Sequence, residues 1–113
     1  MKKLSFLAIL IVLSFAFSIA FSQNQNQKTA EIKTSAVCEM CKERIEKKLT
    51  KVDGIESANL DVDTKVLNVT YDATKISLED IKKKISKIGY DADDVKRDPK
   101  GYKKLPKCCR IDG

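Results

Sequence analysis

Cys38 and Cys41 stand three residues apart in the stretch TSAVCEMCKERIEKK, residues 34–48. Two thiols at this spacing can close a small disulfide, exchange disulfides with a substrate, or hold a soft metal ion between their sulfurs. A disulfide here would close a loop too small to constrain much of the unfolded chain, so stapling accounts poorly for the pair. From Glu39 to Lys51 the apolar positions Cys41, Ile45, Leu49 and Val52 recur among Lys, Arg and Glu, which predicts a helix with one apolar stripe. Cys38 then falls in the loop before that helix and Cys41 in its first turn. The N–H groups at a helix start are unpaired and carry partial positive charge. They favour thiolate over thiol, and Lys42 and Arg44 add cations nearby. Two thiolates with no other ligand suit an ion of low coordination number such as Cu(I) or Hg(II), whereas Zn(II) takes four ligands. The chain has no His, so the usual nitrogen ligands are missing.

The same pair can serve thiol–disulfide exchange. That chemistry usually sits in a parallel βαβ context on a longer chain, and the element order here differs. Redox exchange is the alternative to metal binding, and a resting disulfide with no ligand role stays open. We expect a binding protein and no enzyme.

The elements around the pair follow from periodicity. Thr29–Ser35 alternates apolar and polar residues and reads as a first strand. After the helix, Asp53-Gly54 makes a stop. IESANLDVD alternates Ala58, Leu60 and Val62 as a second strand, and KVLNVTYD alternates Leu67, Val69 and Tyr71 as a third. The short turn at Asp63-Thr64-Lys65 joins the two as an antiparallel hairpin. Ser77 is placed to cap a second helix carrying Leu78, Ile81, Ile85 and Ile88, which Gly89 ends. Tyr90–Arg97 reads as a weaker, acidic fourth strand. The order βαββαβ is the ferredoxin-like arrangement of the α+β class, with two helices on one face of a four-stranded antiparallel sheet.

The 113 residues suffice for one small domain. Residues 1–22 begin with Lys2 and Lys3, continue as an apolar run and end in small residues, the pattern of a secretory signal peptide cleaved near Ser22. Residues 23–28 read as a disordered polar lead, 29–97 as the domain and 98–113 as an irregular Cys-containing tail. Export implies a periplasmic or secreted protein that does not stay on the membrane once the leader is cut. Losing Lys2 and Lys3 lowers the formal charge of +6 by two. The remaining Lys-rich surface suits solubility and an acidic-surfaced partner. Few aromatic residues and an exported chain argue against nucleic acid.

A second pair, Cys108 and Cys109, lies in the tail. A fourth strand would leave the tail at the far edge of the domain, about 20–25 Å from the first pair. Ten extended residues reach roughly 33 Å. Contact is therefore within reach but not demanded. Were it made, Cys108 or Cys109 would add sulfur ligands, and Zn(II) would enter the set of candidate ions. A disulfide between the adjacent residues themselves would be strained. Met40, between the first two cysteines, is either a weak thioether neighbour or an ordinary surface Met.

CEMC at 38–41, VLNVTYD at 66–72, SLEDIKKKISKIG at 77–89 and Gly89-Tyr90 together resemble the heavy-metal-associated domain family. That family includes copper chaperones, the N-terminal domains of copper-exporting ATPases and periplasmic mercuric-ion-binding proteins. The resemblance implies Cys38 and Cys41 as ligands for a soft metal. It also implies hand-over by ligand exchange to a metal transporter or metalloprotein with its own Cys pair. Tyr90 falls where many bacterial members carry a Tyr near the metal loop; a core aromatic is the other reading. The family's usual Gly-Met before the site is replaced here by Ser35 and Ala36, so its Met anchor is missing.

Overall fold

The computed structural model describes residues 26–110. The leader at 1–22 lies outside the described residues, as does the first half of the polar lead (residues 23–25). The first strand, β1 (Gln27–Lys33), starts two residues earlier than its alternation suggested and takes in the end of that lead. Helix α1 (Glu39–Leu49), strands β2 (Ile55–Leu60) and β3 (Val66–Asp72), and helix α2 (Leu78–Ile88) follow.

The sheet is antiparallel, with β3 between β1 and β2. Register places Ile32 beside Leu67 and Ala30 beside Val69 on one side, and Leu60 beside Leu67 and Ala58 beside Val69 on the other. Side chains alternate across a strand, so Leu67, Val69 and Tyr71 of β3 are buried together while Asn68 faces water. Cys41, Ile45 and Leu49 of α1 and Ile81 and Ile85 of α2 join Ile32, Leu60, Leu67 and Val69 in one core. The architecture is α+β, helices on the apolar side of an antiparallel sheet.

The expected fourth strand is reduced to isolated bridges among the described residues. Ala92 bridges Thr34 and then, a turn later, Val95. Asp93 explains the break. Its φ of +51° reverses the chain, and its carboxylate accepts the Lys33 N–H at 2.8 Å where a strand carbonyl would otherwise stand. The tail corrects the irregular reading. Residues 99–103 form helix α3 (Pro99–Lys103), and Lys107–Cys109 make one 3-10 turn. Pro99 sits in the first turn of α3, where its missing N–H costs nothing.

Glu46 ties α1 to the sheet. Its Oε2 accepts the Leu60 N–H at 2.7 Å and the Lys42 ammonium at 2.7 Å. Lys42 in turn donates to Asn59 Oδ1 at 3.0 Å and the Leu60 carbonyl at 2.8 Å. Glu46→Ala strands the Leu60 N–H and the Lys42 charge together, at a cost of about 1–3 kcal/mol. Urea unfolding should show a lower midpoint with an unchanged slope.

Candidate metal centre

The loop 34–38 carries the chain from β1 to α1 and sets the sulfurs. Thr34 is held on the β3 side by its N–H and hydroxyl, both donating to the Lys65 carbonyl at 2.9 Å. Its hydroxyl then accepts the Ala36 N–H at 3.2 Å. Ser35 Oγ accepts the Asp91 N–H at 2.9 Å. Ala36 is fully buried. A short residue and two hydroxyl-bearing neighbours thus fix a loop that lacks the Met anchor.

Cys38 is the N-cap of α1, extended at φ −150° and ψ 170°. Its carbonyl closes the first turn by accepting the Lys42 N–H at 3.1 Å. Cys41, three residues on, is completely buried, and the two sulfurs are 3.1 Å apart. Lys42 differs from expectation: its ammonium is engaged by Glu46 and the end of β2 and so is committed away from the thiols.

The tail closes over this pair. Gly101 lies against the backbone at Lys87 and Gly89, so close that a Cβ on it would stand 2.2 Å from the Lys87 carbonyl oxygen. The Asp98 N–H donates to Ser86 O at 2.9 Å, and Arg97 stacks over the Tyr102 ring at 3.6 Å. Leu105 is buried, and the 3-10 turn that follows brings Cys109, 1% exposed, to the site. Its sulfur is 3.8 Å from that of Cys38. Cys38 also donates to the Cys108 carbonyl at 3.5 Å. Cys108 is exposed, its sulfur 3.9 Å from Cys109 and 3.6 Å from the Met40 thioether. All four cysteines are free. Cys38, Cys108 and Cys109 present sulfurs within 4.8 Å of one another, a group able to hold a metal ion.

Tyr90 is buried beneath the sulfurs. Its hydroxyl lacks a fully formed hydrogen bond, and the groups that perturb it are the thiols of Cys41 and Cys109. It is therefore both a core aromatic and a neighbour of the site.

Charge is not shared evenly. Burial raises the Cys41 thiol, but hydrogen bonds from Cys109, Tyr90, Cys38 and the Val37 N–H outweigh it and bring it down to about 7. Burial pushes Cys38 up, and its contact with the Cys41 thiol adds to this against the opposing Cys41 N–H. Burial and donation to Cys41 push Cys109 up to about 12. Cys41 is thus shifted toward thiolate while Cys38 and Cys109 are shifted toward thiol, where the sequence suggested two thiolates. A low-dielectric site supports one negative charge far better than two adjacent ones.

Residues 30–91 match the heavy-metal-associated domain family, over half of the chain, and the chain belongs to that family. Copper chaperone CopZ of Staphylococcus haemolyticus is 37% identical over 54 residues, 48% of this chain and 79% of the chaperone. A copper-exporting P-type ATPase of Staphylococcus saprophyticus is 38% identical over 66 residues, 58% of this chain but only 8% of the ATPase. Among solved structures, the water-soluble region of the P-type ATPase CopA from Bacillus subtilis aligns with a TM-score of 0.58 at 34% identity. That alignment covers 62% of this chain and 47% of the other. Cys108 and Cys109 lie beyond the matched segment.

Proposed function

We propose that this chain captures Cu(I) between Cys38 and Cys41 and passes it to a partner's Cys pair by ligand exchange. The observation that carries this is the 3.1 Å sulfur pair at the start of α1 in a heavy-metal-associated domain. Similarity to copper chaperones and copper ATPase domains supports Cu(I) over the other soft ions. Hg(II), equally suited to two thiolates, is the second cargo to test.

Transfer needs no change of oxidation state. A partner thiolate forms a new Cu–S bond, the Cys38–Cu bond breaks, and Cys38 takes up a proton. Met40, Glu43, Arg44, Lys47, Lys48 and Lys51 line a shallow groove along the outer side of α1, beside the cysteines. Four cations against one acid suit an acidic partner surface, which would orient the encounter. The basic-apolar-small pattern of residues 1–22 supports export, and so a role outside the cytosol. Among the described residues no helix is long and apolar enough to cross a membrane.

Mixing Cu(I)-loaded chain with an acceptor domain bearing a CxxC pair tests this reading. Copper should move to the acceptor faster than free chelator can strip it from the chain. Transfer no faster than chelator-limited release would refute hand-over by exchange.

The raised Cys38 thiol also fixes the sign of the pH dependence. The metal must displace its proton, so apparent affinity rises with pH, about tenfold per unit for each proton released. Competition titrations at about pH 6 and pH 8 should differ by roughly 100-fold or more.

A further inference from the structure

The family segment ends near residue 91, yet the tail beyond it is built onto the sulfur pair. We infer that Cys109 is a third, in-chain ligand, making with Cys38 and Cys41 a three-sulfur site that the docked tail closes. This rests on the soft-metal reading above and goes beyond it, since two sulfurs alone would satisfy that reading.

Three observations converge. Cys109 is 1% exposed, and its sulfur lies 3.8 Å from Cys38. Its burial is achieved by a specific dock. Gly101 lies on Gly89, Leu105 is sunk in the core, and the turn at 107–109 is closed by the Cys109 N–H donating to the Pro106 carbonyl at 2.9 Å. Finally, the Tyr90 hydroxyl, 1% exposed as a residue and without a fully formed hydrogen bond, faces Cys41 and Cys109. A buried hydroxyl whose neighbours are thiols, which are weak acceptors, is poorly satisfied. It is satisfied once those sulfurs carry the charge of a metal–thiolate centre.

Three sulfurs suit Cu(I) and Hg(II) but fall short of the four that a Zn(II) site takes. Cys108 would be the fourth: its sulfur groups with those of Cys38 and Cys109, but it is exposed and 3.6 Å from the Met40 thioether, the less sheltered of the two tail thiols. In hand-over, a partner thiolate binds copper and the Cu–S bond to Cys109 breaks. Cys109 then takes up a proton, and copper stays Cu(I). The tail sulfur occupies the coordination position that an incoming sulfur needs, so it slows release and strengthens retention.

The test is the sulfur count around Cu(I), by X-ray absorption, in the reduced full chain loaded with one equivalent. Three sulfurs are expected in the wild type, two in Cys109→Ala, and three in both Cys108→Ala and Met40→Leu. Cys109→Ala should also transfer copper to a CxxC acceptor about tenfold faster and bind it on the order of 100-fold more weakly. Two sulfurs in the wild type, with tight binding, would overturn the third ligand and leave the two-cysteine reading standing. So would three sulfurs that persist in Cys109→Ala, or that appear only at concentrations where the chain dimerises. Absence of Cu(I) binding in every variant would instead bring down the functional reading itself.

Discussion

Cys38→Ser/Cys41→Ser is expected to lower Cu(I) affinity by about four orders of magnitude while the domain stays folded. The size follows from ligand arithmetic. Four-ligand structural metal sites are worth about 10–16 kcal/mol, roughly 3 kcal/mol per ligand, or on the order of 100-fold per sulfur removed. A hydroxyl is a hard, weakly acidic donor and does not replace a thiolate for a soft ion. The two positions differ in their cost to the fold. Cys38 is part-exposed at the cap, so serine there is mild; Cys41 is fully buried among Ile45, Tyr90 and the rest of the core. A buried hydroxyl with poor partners costs about 1–3 kcal/mol. Far-UV circular dichroism should therefore remain native while chelator competition collapses. An affinity within tenfold of wild type, in a folded double variant, would mean that copper binds elsewhere.

Gly101→Ala is expected to detach the tail. Its new Cβ would stand 2.2 Å from Lys87 O, 3.0 Å from Lys87 C and 3.1 Å from Gly89 N. These are backbone atoms at the end of α2 and cannot swing aside as a flexible side chain would. Gly89, at φ +121°, is itself held in a conformation that favours glycine, so the contact cannot relax from that side either. The remaining anchors, buried Leu105 and the Asp98 N–H to Ser86 O, then hold a displaced helix. Lost docking should cost about 2–3 kcal/mol. Alkylation of Cys109 in the metal-free, reduced protein reads the result, since the wild type buries that thiol. The variant should expose it to reagent at least tenfold faster, with the sheet and the first two helices intact. Unchanged protection of Cys109 would contradict the close Gly89–Gly101 contact as the basis of the dock.

Much of this was legible in the sequence, for physical reasons. The stripe of Cys41, Ile45 and Leu49 defined α1, and the alternation of Leu67, Val69 and Tyr71 defined β3, because each period belongs to one backbone geometry. Ser77 caps α2 as its spacing implied, accepting the Asp80 N–H at 3.1 Å. What failed was tertiary. The acidic run after Tyr90 has strand-like alternation, but the left-handed turn at Asp93 and its side-chain bond to Lys33 end the pairing. The tail's Pro99 and Gly101 looked like breakers. One begins a helix and the other permits a backbone-to-backbone contact, uses that composition does not distinguish. Glu46 was missed because a helix-surface acid carries no mark that a strand N–H will reach it. Cys109 was within reach of the site on chain length alone, but nothing in the sequence says which of two adjacent tail thiols the 3-10 turn buries.

The central claim, capture of a soft ion by this sulfur cluster, is tested most directly by anaerobic competition for Cu(I) between the reduced chain and a chromogenic chelator. One Cu(I) per chain, withdrawn from the chelator with submicromolar or tighter affinity, is the expected result. A chelator that keeps all its copper in the presence of excess reduced chain would contradict it.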